Sequence, residues 1–283
     1  MIRTFLLVFL AFGIARAEPV TIRVVAANLT SDNKQSYSPD NGNHSNPEGA
    51  GARILKALKP DIVMIQEFNT TVPTRQWVNK TLGEGFVFTT EQGMQIPNGI
   101  ISRFPIIASG SWDDPVLNNR EFAWAHLRLP EKRDLWVVSV HLHSKGETSR
   151  ATQAAALAKF IAKNVPKNAL LLIGGDLNTR TTEEICFRKL ASVVVIPDNP
   201  PADRHGDITT NAPRNRPYDW VLANASLDRA EIPVKIAGVE FAHGLVFDSR
   251  VFEPLEKVAP VQKTDSGLPM MQHMAVVRDF QIP

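Results

Sequence analysis

The segment 170–178, Leu-Leu-Leu-Ile-Gly-Gly-Asp-Leu-Asn, limits what this chain can fold into more than any other stretch of it. A short apolar run that ends at two glycines is typical of a strand buried on both faces of an α/β sheet. If the strand continues through Asn178, the side chains of Asp176 and Asn178 share a face. They would then lie at the carboxyl end of the strand, where open α/β sheets bind their ligands. An Asp-Leu-Asn turn that ends the strand is the competing interpretation.

Strand and helix patterns alternate along the rest of the chain and predict one α/β domain with mixed sheets over residues 18–283. Besides the segment above, strands are predicted at residues 21–27, 62–66, 86–90, 98–102, 122–129, 135–142, 218–222 and 274–280. Helices are predicted at residues 52–58, 149–162 and 183–190. Residues 30–51 are rich in Asn, Ser, Asp, Pro and Gly and predict a long loop, which we expect near the mouth of a site.

Residues 1–17 have the three parts of a secretory signal peptide. Arg3 supplies the positive start, residues 5–14 form the apolar region, and Ala15-Arg16-Ala17 is a small-x-small cleavage site. The apolar region is too short to span a bilayer comfortably, so we expect no permanent membrane anchor. The sequence therefore predicts an exported protein, cleaved near Ala17, and leaves open whether it is periplasmic or fully secreted.

Composition narrows the classes of protein further. With 43% hydrophobic and 21% charged residues, the chain can build a sizeable core and is not globally disordered. Cleavage after Ala17 would remove two arginines and no acid, so the 31 basic residues would fall to 29 and equal the 29 acidic ones. Such a balance predicts no broad basic surface, and any nucleic-acid contact would be local to a site. Cys186, the only cysteine, cannot form an internal disulfide and is expected to be buried.

Polar side chains at the ends of predicted strands include the groups that a metal-assisted phosphate hydrolase needs. Glu67 offers a carboxylate, the ligand that a hard cation such as Mg²⁺ prefers. Asp176 could orient water. A histidine oriented by an acid, as His273 would be by Asp219, can act as a base or hold a phosphoryl oxygen. His141 could stabilise charge on the phosphate or the leaving group.

The order of several short segments resembles the endonuclease/exonuclease/phosphatase superfamily, which includes deoxyribonuclease I, apurinic/apyrimidinic endonucleases, bacterial sphingomyelinases and inositol polyphosphate 5-phosphatases. The segments are Asn28 after a strand, Lys-Pro-Asp-Ile-Val-Met-Ile-Gln-Glu at 59–67, Gly-Ile-Ile-Ser-Arg-Phe-Pro-Ile at 99–106, Val-His-Leu at 140–142, Gly-Asp-Leu-Asn at 175–178 and Tyr-Asp-Trp-Val-Leu at 218–222. The resemblance covers nearly all of the chain after the signal peptide. It implies a four-layer α/β sandwich of two facing mixed β-sheets flanked by helices, and Mg²⁺- or Mn²⁺-dependent cleavage of a phosphoester.

The resemblance also implies a role for each matching residue. Glu67 would bind the metal ion, with Asn28 as its neighbour at the metal and the phosphate. Asp176 would align or deprotonate the attacking water, and Asn178 would donate a hydrogen bond to the phosphoryl group. His141 would contact the phosphate.

Three further residues complete the implied site. Asp219 would orient His273. Arg120 stands where some relatives place a phosphate-binding arginine, although a surface salt bridge accounts for it equally well. His143 lies two residues after His141 on the same predicted strand, and is a candidate for a second phosphate contact.

The chain departs from the family pattern at two positions. Relatives usually have an acid before the final histidine, where this chain has Gln272, so a second metal ligand is in doubt. Asp265 is a candidate to loop back in its place, and a solvated turn residue is the alternative. Abasic-site nucleases have an acid two residues after the first asparagine, where this chain has Thr30.

The sequence therefore predicts an exported Mg²⁺-dependent phosphodiesterase that acts on a phosphodiester substrate, with nucleic acid preferred and the oligomeric state undetermined. Two alternatives remain open. One is a phospholipid or sugar-phosphate hydrolase on the same scaffold, which the balanced charge of the mature chain favours. The other is a catalytically silent binding protein, which Gln272 suggests.

Overall fold

The computed structural model describes residues 18–29, 49–70, 72–268 and 271–283. The predicted signal peptide and residues 30–48 of the predicted loop lie outside the described residues.

The strands are β1 Val20–Ala27, β2 Ile62–Ile65, β3 Val87–Thr90, β4 Gly99–Ser102, β5 Ile106–Trp112, β6 Phe122–Arg128, β7 Asp134–His141, β8 Leu170–Asp176, β9 Asp219–Ala223, β10 Glu231–Ile232, β11 Val234–Ile236, β12 Val239–Phe241, β13 Leu245–Phe247 and β14 Ala275–Ile282. The helices are α1 Ala50–Leu58, α2 Thr74–Thr81, α3 Glu147–Asn164, α4 Ile185–Leu190 and α5 Ala225–Asp228, with 3₁₀ turns at Pro130–Lys132, Leu255–Val258 and Asp265–Gly267.

The strands form two large mixed sheets and one hairpin. The first sheet has the order β10-β14-β1-β2-β4-β3, with β13 also paired to β14, and the second has the order β5-β6-β7-β8-β9. The hairpin joins β11 to β12. Each sheet contains one parallel pair, β1 with β2 in the first and β7 with β8 in the second. A parallel pair needs a long crossover connection, and α1 and α3 lie in these two connections.

The two sheets pack face to face over an apolar core. Alternation along β1 directs Ile22, Val24 and Ala26 to this core, where they join Leu172 of β8 and Val221 of β9, all fully buried. Burying each large aliphatic side chain of this kind contributes roughly 1.5–3 kcal/mol. The inner faces of the two sheets thus supply the central layer of packing.

The outer face of each sheet packs on helices. Val25 of β1 lies in a second apolar cluster with Leu55 of α1. Val140 of β7 lies in a third cluster with Leu157 of α3 and Phe187 of α4. The layers follow the order helix, sheet, sheet, helix, so the predicted four-layer α/β sandwich is confirmed.

Gly174 and Gly175 are required because the two sheets approach each other closely at this end of β8. A Cβ atom on Gly174 would lie 2.3 Å from Cε of Met64 in the first sheet and 2.5 Å from the carbonyl oxygen of Trp220 in the second. Gly175 has φ +126°, and a Cβ atom there would lie 2.3 Å from the carbonyl oxygen of Val140 and 2.4 Å from Nε2 of Gln66. Any side chain here would push the sheets apart.

Hydrogen bonds join the two sheets at the same end. Nε2 of Gln66, directly after β2, donates to Oγ of Ser139 on β7 at 2.9 Å. The Ser139 hydroxyl donates to the carbonyl oxygen of Ile65 at 3.0 Å. Because Gln66 precedes Glu67 in the chain, this contact fixes where Glu67 lies relative to the second sheet.

Two of the elements that the sequence analysis missed, α2 and β5, bury few apolar residues. Helix α2 buries mainly Trp77 and Val78, and β5 has four consecutive exposed residues at positions 107–110. Neither gives the apolar periodicity that predicts an element. No helix among the described residues is long and apolar enough to cross a membrane.

Candidate active site

Polar side chains from both sheets meet at one end of the sandwich, and all of them are buried. The first sheet contributes Asn28 after β1, Glu67 after β2 and His273 before β14, and the second contributes His141 at the end of β7, Asp176 at the end of β8 and Asp219 at the start of β9. Parallel strands end at the same edge, and antiparallel neighbours begin there. The topology therefore brings together six of the residues that the sequence predicts.

Asn28 lies between the two sheets and contacts three of the other side chains. Its Nδ2 donates to Oε1 of Glu67 at 3.2 Å and to Oδ2 of Asp176 at 3.1 Å, and it lies 3.3 Å from Nε2 of His273. An amide nitrogen has two hydrogens, which the two carboxylates accept. Asn28 thus holds Glu67 and Asp176 a fixed distance apart across the sheet interface.

His273 and Asp219 form a buried ion pair. Nδ1 of His273 lies 2.9 Å from Oδ2 of Asp219, and its Nε2 lies 3.5 Å from Oδ2 of Asp176. Burial alone would lower the pKa of His273, but the charges of Asp219 and Asp176 outweigh burial and raise it to about 10. The imidazole is therefore a cation at neutral pH, with one N–H on Asp219 and the other directed toward Asp176.

Asp176 is a carboxylate whose environment makes it a stronger base. Burial raises its pKa from 3.8 to about 6, and this effect is opposed by the positive charge of His273 and supported by the negative charge of Asp219. Its Oδ1 accepts from the backbone N–H of Asn178 at 2.8 Å, and its Oδ2 accepts from Asn28. A carboxylate with a pKa near the working pH is suited to accept a proton from water.

His141 is a buried, neutral histidine that lies between two carboxylates. Its Nε2 lies 3.2 Å from Oδ2 of Asp176 and its Nδ1 lies 3.7 Å from Oε1 of Glu67. Burial lowers the pKa of His141 well below 6.5, and the positive charges of Arg120 and His273 lower it further. A neutral imidazole can donate a hydrogen bond from one nitrogen and accept at the other.

Arg120 is buried beneath His141. Its Nε donates to the carbonyl oxygen of His141 at 2.5 Å and its Nη2 donates to the carbonyl oxygen of Leu142 at 3.0 Å. These bonds use the Nε–Nη2 edge of the guanidinium group, which is one of the edges through which an arginine can bind a phosphate. The surface salt bridge that the sequence analysis left open for Arg120 is wrong, since the side chain is buried and donates to backbone. Its predicted phosphate contact stays a prediction.

Asn178 reaches the site by a turn and not along the strand. Strand β8 ends at Asp176, and Asn178 has φ +52°, so the expected extension through Asn178 is wrong. Asparagine tolerates this left-handed conformation better than most residues. Its Nδ2 donates to the carbonyl oxygen of Leu142 at 3.0 Å, beside the Arg120 donor. The Asp-Leu-Asn turn, given above as the competing interpretation, is therefore present, and Asn178 still lies at the site.

His143 does not share a strand face with His141, because β7 ends at His141. The Nδ1 atom of His143 accepts from the backbone N–H of Lys145 at 3.0 Å, and the backbone N–H of His143 donates to Oε1 of Gln153 at 2.8 Å. The shared strand face predicted for His143 is therefore wrong. A phosphate contact from its half-buried ring stays a prediction.

Asp265 does not replace the acid that relatives have before the final histidine. Gln272 is exposed, and its carbonyl oxygen accepts from Ala212 N–H at 2.8 Å. Asp265 is fully buried and binds the guanidinium group of Arg53 through both carboxylate oxygens, at 2.5 and 3.0 Å. The suggested return of Asp265 to the site is therefore wrong.

The residues present fit a divalent cation. Three buried carboxylates, Glu67, Asp176 and Asp219, lie at this end of the sandwich. Carboxylate oxygens are the ligands that hard divalent cations prefer. Ligand atoms of Asp176, Asp219 and His273 lie within 4.8 Å of one another. Because His273 is already bound to Asp219, the oxygen ligands of Glu67 and Asn28 suit Mg²⁺ or Mn²⁺ better.

Sequence reasoning missed Thr210, which supports the ion pair. Its hydroxyl donates to Oδ2 of Asp219 at 2.7 Å and accepts from the backbone N–H of Asp219 at 2.8 Å. Its carbonyl oxygen accepts from Met274 N–H at 2.6 Å, next to His273. No motif marks Thr210, since its contacts exist only once the loop before β9 folds back on the site.

The family model described as Endonuclease/Exonuclease/phosphatase family matches residues 41–238, which is well over half of the chain. The chain belongs to this family. Its members are hydrolases that act on phosphoester bonds and generally use divalent metals. The matched range contains Glu67, His141, Asp176, Asn178 and Asp219, and ends before His273. No curated protein matches the chain.

Solved structures share the fold at low sequence identity. An endonuclease/exonuclease/phosphatase family protein from Bacteroides thetaiotaomicron is 12% identical, with a TM-score of 0.62, and the match covers 94% of this chain and 100% of that one. Truncated TDP2 from Caenorhabditis elegans is 17% identical, with a TM-score of 0.59, over 92% of this chain and 97% of that one. A functionally unknown conserved protein from Enterococcus faecalis is 12% identical, with a TM-score of 0.63, over 91% and 98%. At these identities the likeness establishes the fold alone.

Proposed function

We propose that this chain is an exported, divalent-metal-dependent phosphodiester hydrolase that acts on nucleic acid. The observation that carries the proposal is that Asp176, a carboxylate with a raised pKa, lies beside the His273–Asp219 ion pair at one buried end of the sandwich. An acid–base set of this kind is costly to bury and has a direct use in hydrolysis.

The residues divide the reaction between them. Asp176 aligns water for attack on phosphorus and accepts its proton, while the ester P–O bond breaks and the leaving oxygen takes a proton from solvent. His273, kept protonated by Asp219, donates a hydrogen bond to a phosphoryl oxygen where negative charge develops. Asn178 and neutral His141 supply further hydrogen bonds to the phosphoryl group. A Mg²⁺ or Mn²⁺ ion on Glu67 and Asn28 would supply Lewis-acid stabilisation of that charge.

A phospholipid or sugar-phosphate substrate is the second candidate, and the balanced charge of the mature chain favours it. Docking on a membrane would call for exposed aromatic side chains on a projecting hairpin. The β11–β12 hairpin has Ala237 and Gly238 between its strands, and its one aromatic residue, Phe241, is buried against Phe252. That arrangement disfavours docking on a lipid surface through this hairpin.

A silent binding protein is the third candidate. The exposed position of Gln272 supports it only weakly, because none of the buried hydrogen bonds described above involves the Gln272 side chain. The ion pair of His273 with Asp219, and the contacts of Asp176, are retained. Each would be expensive to keep without a function.

Hydrolysis of bis(p-nitrophenyl) phosphate by residues 18–283, with and without Mg²⁺ or Mn²⁺, tests the chemistry. We expect metal-dependent turnover, and a loss of about 10²–10⁴-fold in His273→Ala. His205→Ala is the matched control, since His205 is exposed and lies outside the site. A His273→Ala variant within about tenfold of the wild type would contradict the assigned role.

Export is tested by the N-terminal sequence of the protein from a periplasmic or culture fraction, which should begin at Glu18.

A further inference from the structure

Two residues beside the acid–base pair have no role in the chemistry described above. Tyr218 directly precedes Asp219, and its ring centroid lies 5.7 Å from that of His273, with the planes at 44°. The Tyr218 side chain is half-buried. An aromatic ring therefore borders the position where a phosphoryl group would meet His273.

Arg216 carries a positive charge next to this ring. Its Nη1 donates to the hydroxyl oxygen of Tyr218 at 3.2 Å. Within the part of the chain that the structure describes, no carboxylate lies within ion-pair distance of its guanidinium group. Arg214, two residues earlier, differs: its guanidinium group binds the carboxylates of Asp203, Asp207 and Asp248 at 2.9, 3.0 and 2.6 Å. Arg214 is thus a structural cation, whereas the charge of Arg216 is available to a ligand.

The backbone of Arg216 is held rigidly in place. Its carbonyl oxygen accepts from the N–H groups of Thr210, Asn211 and Tyr218 at 2.8, 3.3 and 3.2 Å. Its N–H donates to Oδ1 of Asn211 at 2.9 Å. Because Thr210 also binds Asp219, the backbone that carries the ring and the cation is fixed relative to the acid–base pair. A site held in this way loses little conformational entropy when a ligand binds.

We propose that Tyr218 and Arg216 form a subsite that stacks one base and binds the adjacent phosphate of a single-stranded nucleic acid. The proposal rests on the phosphodiesterase activity proposed above and names the substrate class of the same site. Aromatic rings and basic groups are the two features that single-strand binding uses. A quaternary ammonium headgroup could also stack on a tyrosine, but the neighbouring Arg216 cation would repel it. The pair therefore favours a base and a phosphate over a choline lipid.

A pair of oligonucleotides tests the role of the ring. The substrates are a short single-stranded DNA and an abasic strand of the same length, which keeps the phosphates and lacks the bases. We expect the wild type to prefer the base-containing strand in kcat/KM, and Tyr218→Leu to lower that preference about 5- to 150-fold. Tyr218→Phe keeps the ring and should retain the preference. An unchanged preference in a folded Tyr218→Leu variant would overturn the stacking role.

Salt dependence tests the role of the cation. Each phosphate neutralised on a single strand contributes about 0.7 to the slope of log affinity against log salt. Arg216→Gln should therefore reduce the slope of log KM against log salt by about 0.7, on both strands alike. Arg229→Gln is the charge-matched control, because Arg229 is exposed and follows α5 beyond the opposite end of β9. Equal slopes in Arg216→Gln and Arg229→Gln would overturn the phosphate contact.

A third substrate separates this inference from the proposed function. Methyl p-nitrophenyl phosphate has one phosphodiester and no base or second phosphate. If the wild type hydrolyses it but does not distinguish the two strands, the subsite is wrong and the phosphodiesterase stands. Hydrolysis of choline lipid vesicles without hydrolysis of DNA would also overturn the subsite. If no phosphodiester is hydrolysed with any divalent metal, the proposed function itself fails.

Discussion

Nδ1 of His273 lies 2.9 Å from Oδ2 of Asp219, and the two residues belong to different sheets. His273 stands two residues before β14 in the first sheet, and Asp219 begins β9 in the second. The ion pair therefore depends on how the sheets pack. The close approach at Gly174 and Gly175 and the acid–base pair are consequences of the same packing.

Replacing Asp219 with asparagine should lower the pKa of His273 from about 10 toward or below its ordinary 6.5, because burial lowers it and the Asp219 charge is the largest effect that raises it. Histidine ring signals followed by NMR across pH measure this directly. Activity at pH 7 should fall by about 10²–10⁴-fold, since the imidazole would lose its proton. A His273 pKa that stays near that of the wild type would show that Asp219 does not hold the charge.

Thr210→Val should weaken the support of Asp219. Valine has the shape of threonine without the hydroxyl, so Oδ2 and the N–H of Asp219 each lose a partner. The free energy of unfolding in urea should fall by about 1–3 kcal/mol, and kcat should fall with it. Thr210→Ser keeps the hydroxyl and is the matched control. Similar losses in both variants would point to the methyl group and not to the hydrogen bonds.

Asp176 and Asn178 show how far sequence could predict the site. Their proximity was predicted from a shared strand face, whereas the structure brings them together by a left-handed turn at Asn178. The Gly-Asp-Leu-Asn motif therefore identified the right two residues, but the geometry predicted for them was wrong. A left-handed backbone conformation after two glycines produces no periodic pattern in the sequence. The same reasoning placed His143 on a strand that had already ended.

The fold was easier to predict than the contacts. Buried strands such as β1, β2 and β8 carry apolar runs that their burial dictates, so their positions follow from the sequence. The β5 strand is largely exposed and has no such pattern. Thr210 and Arg216 act through a loop whose path depends on hydrogen bonds to distant residues, and local sequence does not encode that path.

Gly175→Ala should destabilise the protein more than an alanine at another left-handed glycine. At Gly175 the added Cβ atom would collide with the carbonyl oxygen of Val140 and with Nε2 of Gln66, besides straining the backbone at φ +126°. We expect a loss of about 2–5 kcal/mol in the free energy of unfolding. Gly206→Ala is the control, since φ is +83° but no atom lies within 4 Å of the added Cβ atom. Equal losses would mean that sheet contact at Gly175 adds nothing.

Glu91 should make stability depend on pH near neutrality. Its side chain is buried, accepting from the backbone N–H of Asn98 at 2.9 Å and from its Nδ2 at 3.0 Å. Burial raises the pKa of Glu91 from 4.5 to about 7, against the lowering effect of these hydrogen bonds. Between pH 4.5 and about 7 the folded protein therefore binds more protons at Glu91 than the unfolded chain does. The free energy of unfolding falls as pH rises through this window, by roughly 3 kcal/mol in total.

Glu91→Gln isolates this contribution, because glutamine has the shape of the protonated glutamate and does not ionise. Urea unfolding at several pH values should give similar stabilities for wild type and variant near pH 4. The variant should become the more stable protein as pH rises toward 8, by up to roughly 3 kcal/mol. Glu84→Gln, which removes an exposed carboxylate from the same region, controls for the change in net charge. A stability difference between Glu91→Gln and wild type that is the same at pH 5 and pH 8 would show that Glu91 is ionised in the folded protein throughout this range, and that its hydrogen bonds to Asn98 outweigh its burial.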